Sequence, residues 1–346
     1  MRYYLICLVS FILCSCQEEI TLDLTQSESK LVVEGSIEPG FPPYIILTKN
    51  QGYFDKIDIN TYNNLFVNDA DSVIVWYISE SGERISKELK LIPAEISQLI
   101  PDLDSLPPIY TDLDYINNPT EYLFSQEERT YYLEIKWNNQ IITAETFIPK
   151  STPLDCLWVE QSETAEKDYK CDIRAIYSDP GDKQNNILIK SKRLEHYTFN
   201  QDKCKINNKP DQLLKLVDSG ADVLINGESF ETYFPRPGDN GGFPSGRYNS
   251  THMKECDDGT ILERDKDIVL IKFCQINESS MQFWRGVVRQ AGTNGNPFAE
   301  PMNLVSNING GLGIWTGYSP VYYKVPIIKD IVIKTQYDSL TIIDIF

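Results

Sequence analysis

Apolar and polar side chains alternate with a period of two through much of the chain, the pattern of strands with one face in a core. It is cleanest from Thr130 to Trp137, where Asn138-Asn139 supplies a turn and Ile141 to Ile148 runs back. Shorter strand signals stand at Leu31 to Ile37, Tyr44 to Thr48 and Val73 to Ile78. After Ser81-Gly82-Glu83, a hairpin turn, Arg84 to Leu91 returns antiparallel. Residues 93–119, rich in Pro, Leu and Asp, read as an elaborated loop with one helical turn. Together these segments predict an immunoglobulin-like or transthyretin-like β-sandwich of about seven strands over 31–150.

Pro149 to Pro153 reads as a linker, because proline cannot donate to a strand ladder. Beyond it, Leu157-Trp158-Val159, Asp172 to Tyr177, Asn186 to Lys190 and Asp267 to Gln275 carry strand patterns. Residues 200–260, crowded with Asn, Asp, Gly and Pro, predict long loops. Helical spacing occurs once with force. Met281, Trp284 and Val288 share a face within Ser279 to Gln290, with Asn277 or Ser279 as the cap. A glycine-rich segment and a final β region, Val321 to Phe346, follow. The fold class is therefore mainly β, with a second β-rich domain carrying one main helix over 151–346. No repeat of fixed period is visible, which disfavours solenoids and propellers.

The start of the chain reads differently. Met1-Arg2 precedes an apolar run from Leu5 to Leu13, long enough for a signal-peptide core but short of the roughly 20 residues that span a bilayer. It ends in Leu13-Cys14-Ser15-Cys16, which resembles a bacterial lipoprotein signal: Leu three places before the acceptor, a small residue just before it, then the thiol. Cys14 suits this badly, since bulky Leu13 would flank the cut. The expectation is a signal peptide over 1–15, a lipid on Cys16 and a polar tether over 16–30. Several acyl chains on one cysteine anchor firmly, at about 0.8 kcal/mol per buried methylene. Gln17-Glu18-Glu19 resembles the surface-export signal of Bacteroidota lipoproteins.

Charge narrows the partners. A formal net charge of −18 repels phosphate backbones, so nucleic acid is excluded as a partner. Of the eight cysteines, five lie beyond Cys16: Cys156, Cys171, Cys204, Cys256 and Cys274. Outside the cytoplasm these allow two disulfides and a spare thiol, with Cys156 and Cys171 able to pair across a hairpin-like segment, or they remain buried thiols. With no CxxC and only His196 and His252, the usual zinc site is not expected. No cofactor is called for.

The acidic pairs Asp102/Asp104, Asp112/Asp114, Asp179/Asp182 and Asp257/Asp258 fit no calcium loop and read as solvated turns. Gly310-Gly311-Leu312-Gly313 lacks the Lys-Ser/Thr of a phosphate loop; it reads as a tight turn needing positive φ and close approach. Neither histidine sits in a recognisable triad motif, and no Gly-x-Ser-x-Gly is present. Loop aromatics that would stack on sugars or pack their loops down are Tyr53, Phe54, Tyr62, Tyr110, Tyr115, Tyr233, Phe234 and Phe243.

Most specific is Asn296-Pro297-Phe298-Ala299-Glu300-Pro301 followed by Ser306 to Tyr318, which includes the Gly-Gly-Leu-Gly block. With Leu31-Val32-Val33-Glu34-Gly35, Val67-Asn68-Asp69-Ala70 and Asp179-Pro180-Gly181, it resembles a Bacteroidota lipoprotein family, domain-of-unknown-function family 4249, over nearly the whole chain after the signal. Trp315 stands where that family more often has Phe. The resemblance brings no catalytic residues. It implies an outer-membrane surface lipoprotein beside TonB-dependent receptors of the SusC type, a non-enzymatic accessory in ligand capture or uptake. A structural scaffold subunit of an outer-membrane assembly is the alternative, and a glycan-active hydrolase with paired carboxylates is a third. Ligand identity is not legible.

Overall fold

The computed structural model describes residues 29–50, 64–93, 107–117, 122–163, 169–182, 184–200, 204–209, 213–221, 226–237, 246–263, 267–293 and 303–341; side chains at 195–200, 206–209 and 293 are outside it. Cys16, Gln17, Glu18, Glu19, Tyr53, Phe54, Tyr62, Asp102, Asp104 and Phe243 lie outside the described residues.

The protein is mainly β. Strands are numbered here in chain order. One sheet runs β20 (Leu312–Gly317), β1 (Leu31–Ile37), β2 (Tyr44–Lys49), β6 (Tyr110–Thr111) and β5 (Lys90–Leu91). Facing it, a second runs β19 (Ile308–Asn309), β8 (Gln140–Ile148), β7 (Arg129–Trp137), β3 (Ser72–Ile78) and β4 (Arg84–Glu88). A single core lies between them: Val33, Ile45, Val75, Leu133, Ile135 and Trp315 are all buried there. In β7 the alternation predicted from sequence is realised. Tyr131, Leu133, Ile135 and Trp137 point inward, and Thr130, Tyr132, Glu134 and Lys136 outward. Asn138 and Asn139 both have positive φ, as a two-residue hairpin turn demands. Arg84 to Leu91 is not one strand. It breaks at Leu89, which is buried, and β5 crosses to the opposite sheet. The helical turn expected before residue 119 is α1 (Leu113–Asn117).

Both sheets of this first sandwich are completed from the far end of the chain. β20 lies parallel to β1, with Gly35 opposite Trp315, and β19 is antiparallel to β8. The glycine-rich block makes that possible. Gly310 turns at positive φ, and Gly313, also at positive φ, lies so close to β1 that a Cβ there would meet the Val33 carbonyl oxygen at 2.0 Å. A tight turn was expected to lead into Ile314-Trp315; the turn is confined to the start, and Leu312 onward is a strand.

The second sandwich has one sheet of β14 (Ser229–Phe234), β10 (Lys170–Ser178), β9 (Cys156–Gln161) and β22 (Val332–Ile333), with β15 (Tyr248–Asn249) also on β10. The other is β12 (Lys205–Lys209), β11 (Asn186–Asn200), β18 (Ile268–Gln275) and β21 (Ser319–Pro326), with β13 (Lys215–Ala221) on β11. β16 (Met253–Glu255) and β17 (Ile261–Glu263) form a small hairpin. Residues 200–260 thus hold several strands where the sequence predicted loops. These strands are short, with little alternation to reveal them, and β12 and β13 take their register from the fifteen-residue β11.

β18 is buried on both faces. Val269, Ile271 and Phe273 enter the core of the second sandwich, while Cys274 faces α2 (Glu278–Thr293). Asn277 caps that helix, its Oδ1 accepting from the Ser280 N–H at 3.0 Å, and Met281 and Trp284 form its buried face. The linker is pinned as well. Thr152 N–H donates to Gln275 Oε1 at 2.8 Å, and Gln275 Nε2 donates back to the Thr152 carbonyl at 3.2 Å.

Candidate functional site

The outward face of β3, β7 and β8 lines a cleft of about 500 Å³, a size typical of ligand sites. Strand register builds its floor. Trp76 pairs across with Tyr132, and Tyr132 with Glu145; one step along, Glu134, Thr143 and Asn309 lie in a row. The far wall is the start of α2 together with Asn307.

The rings of Trp76 and Tyr132 stack at 4.1 Å between centroids, 17° from parallel. The Arg84 guanidinium lies 4.4 Å from the Trp76 ring centre. Three planar groups from β4, β3 and β7 therefore stand in one row, the spacing of which matches the roughly 4.8 Å between strands.

The polar groups of the cleft divide into spent and free. Asn307 donates to the carbonyls of Trp315 and Glu145 and accepts from the Trp315 N–H. Asn277 donates to Thr146 Oγ1, which also accepts from the Gly317 N–H at 2.8 Å. These bonds tie the wall to the seam between the sandwiches. Among the described residues, Glu145, Thr143 and Asn309 have no side-chain partner, and Glu134 has only Lys136 at 3.8 Å. Among the described residues no Lys, Arg or His lines the cleft, and Lys136 reaches only Glu134 from outside it, so its free chemistry is acceptor-rich and negative. Two carboxylates in one cleft are what a glycosidase requires. Glu145 is exposed and Glu134 half-buried.

A second polar cluster is closed inside the junction of the sandwiches. Lys272 pairs with Glu38, and Tyr322 donates to the other Glu38 oxygen at 2.8 Å. Lys190, opposite Lys272 across β11 and β18, lies 4.8 Å from the Trp284 ring centre and 5.1 Å from that of Tyr318. Burial, then the neighbouring Lys272 charge, lowers the Lys190 ammonium to about 8. Burial pushes the Cys274 thiol up to about 12.

The residues singled out from sequence lie elsewhere. Tyr110 and Phe234 are buried, and Tyr115 packs edge-on to Tyr122; only Tyr233 is substantially exposed among the loop aromatics described. Asp112 accepts from the Tyr122 hydroxyl at 2.7 Å and pairs with Lys87 at 3.0 Å. Asp179 holds a corner, accepting from Tyr177, Asn185 and Gly227, and Asp258 accepts from the Thr260 N–H. Cys156 and Cys171 do not pair. They sit at opposite ends of the β9–β10 register, opposite Ile176 and Gln161. The disulfide formed is Cys204–Cys256, which takes both sulfurs out of the one metal-ligand cluster found among the described residues, that of Cys204, Cys256 and Asp258. His252 Nδ1 lies 3.4 Å from the Ser250 carbonyl oxygen. Sequence reasoning missed the cleft rings because Trp76 and Tyr132 sit inside strands; their outward positions in the alternation were the available signal. No helix among the described residues is long and apolar enough to cross a membrane.

No curated protein matches the chain. Among solved structures it is similar to a variant of Salmonella alpha-2-macroglobulin, at 7% identity and a TM-score of 0.21 over 76% of this chain; the match spans 14% of that protein. A family model described as a domain of unknown function, DUF4249, matches residues 17–323. The chain belongs to the DUF4249 family.

Proposed function

We propose that the protein is a lipid-anchored, surface-exposed outer-membrane lipoprotein that captures a ligand for a TonB-dependent transporter of the SusC type, without catalysing a reaction on it. The cleft over β3, β7 and β8 carries the capture reading. Its open side presents a stacked ring pair and unpaired acceptors, a surface for reversible binding rather than a nucleophile beside its base. The Leu13-Cys14-Ser15-Cys16 pattern supports the anchor, and Gln17-Glu18-Glu19 supports display on the outer face.

Metabolic labelling with a clickable fatty acid tests the anchor. Label is expected on the wild type and absent from Cys16→Ser, and a protease added to whole cells should degrade the wild type. Mild detergent extraction should co-purify a TonB-dependent receptor. A protein that is unlabelled, protected from protease and recovered alone would defeat this reading.

A further inference from the structure

We propose that the cleft takes the side chain of an arginine in a basic peptide, its guanidinium lying over Glu145 against the second face of Tyr132. This rests on the capture reading and names its ligand class.

The protein contains its own example of the contact. Arg84 places a guanidinium on Trp76, and Trp76 stacks on Tyr132. Each step crosses one strand, and strand spacing and ring-stacking distance nearly coincide. The next step beyond Tyr132 falls on β8 over Glu145, its cross-strand partner, which also lines the cleft. A flat group set there continues the row. Glu134, two residues along β7 from Tyr132, borders the same position.

Charge selects among flat groups. Among the described residues the lining includes two carboxylates, Glu145 unpaired and Glu134 with only Lys136 at 3.8 Å, and no cation, so an anionic ligand is repelled. A sugar would use the ring face but leave the Glu145 charge unmatched, Glu134 having Lys136 beside it. A guanidinium uses the ring face and offers donors in a rigid fork that suits carboxylates two at a time. An ammonium carries the charge without the flat face, so lysine is the weaker relative.

The test is calorimetric titration of the mature full-length chain with acetyl-Gly-Arg-Gly-amide, its citrulline counterpart and a neutral oligosaccharide. Citrulline keeps the planar shape and loses the charge. The arginine peptide is expected to bind at least about tenfold more tightly than the citrulline peptide, the ratio worth about 1.4 kcal/mol in binding. Glu145→Gln, at an exposed position that leaves folding alone, should erase most of that preference. Tyr132→Leu should weaken the arginine peptide about two- to fivefold. Equal binding of arginine and citrulline peptides, or binding unaffected by Glu145→Gln, overturns the proposal. Oligosaccharide binding that Tyr132→Leu abolishes would overturn the ligand class yet keep ligand capture. If transporter-dependent uptake in cells is indifferent to both substitutions, the capture reading itself fails.

Discussion

Lys272, in the middle of β18, forms an ion pair with Glu38, which follows the last residue of β1, and both side chains are almost fully buried. The pair joins the two sandwiches. It is surrounded by the rings of Tyr318 and Tyr322, and the Tyr322 hydroxyl satisfies the second carboxylate oxygen. A low-dielectric setting makes each partner costly without the other.

Lys272→Met alone should therefore destabilise the protein by about 3–5 kcal/mol, leaving Glu38 charged and buried. The double variant with Glu38→Leu should recover most of the loss. Urea unfolding of both variants reads this directly. A double variant as unstable as the single one would mean that the junction depends on packing by the lysine stem instead.

Lys190 makes the opposite prediction. Its ammonium is lowered to about 8, so the unfolded chain binds more protons than the folded one between about pH 8 and the ordinary lysine value of 10.5. Its penalty is full below that window and fades as pH rises through it. Lys190→Met should stabilise the protein by about 1–3 kcal/mol at pH 7, and the gain should vanish near pH 10.5. The difference between variant and wild type, followed by denaturant unfolding across pH, isolates this from the buried thiol and phenols that titrate nearby.

Gly313→Ala should be among the most damaging single changes, because the new Cβ would fall 2.0 Å from the Val33 carbonyl oxygen at a φ of +100°. The backbone of β20 would have to leave β1. A loss of more than about 4 kcal/mol is expected, with amide exchange speeding up first at Ile314 to Gly317. Gly292→Ala, on the open side of α2 with nothing within 4 Å, is the matched control and should change stability little.

Thiol chemistry gives a fourth check. Peptide mapping without reduction should find Cys204 joined to Cys256. Under native conditions iodoacetamide should modify half-buried Cys156 well before buried Cys171 and Cys274. Closing a loop of this length should be worth about 2–4 kcal/mol, so Cys204→Ser is expected to lower the unfolding midpoint without changing the cleft.

The parts of this fold that could be read in advance are those where local chemistry and long-range packing agree. Tyr131 to Trp137 alternates because one face meets a core and the other meets water. Asn138-Asn139 turns because those side chains tolerate positive φ. Asn277 marks the helix start through its own side-chain bond. What escaped is set by partners distant in sequence. Nothing near Leu312 announces that it will lie beside Val32, and Lys205 to Lys209 becomes a strand only because β11 extends far enough to receive it. The cleft falls in this second class. Trp76 and Tyr132 are fifty-odd residues apart, and their stacking follows from the β3–β7 register, which no local pattern fixes.

The borrowing of β19 and β20 by the first sandwich also sets an order of events. A nascent chain emerges N-terminus first, so when residue 150 has been made, β1 and β8 still present open edges. Those edges close only after α2 and every strand of the second sandwich except β21 and β22 have been synthesised. The N-terminal half must therefore wait, unfinished and adhesive, for about 160 further residues, through which a holding chaperone would have to shield it. Chains truncated before Ile308 should be insoluble however well their N-terminal strands are formed.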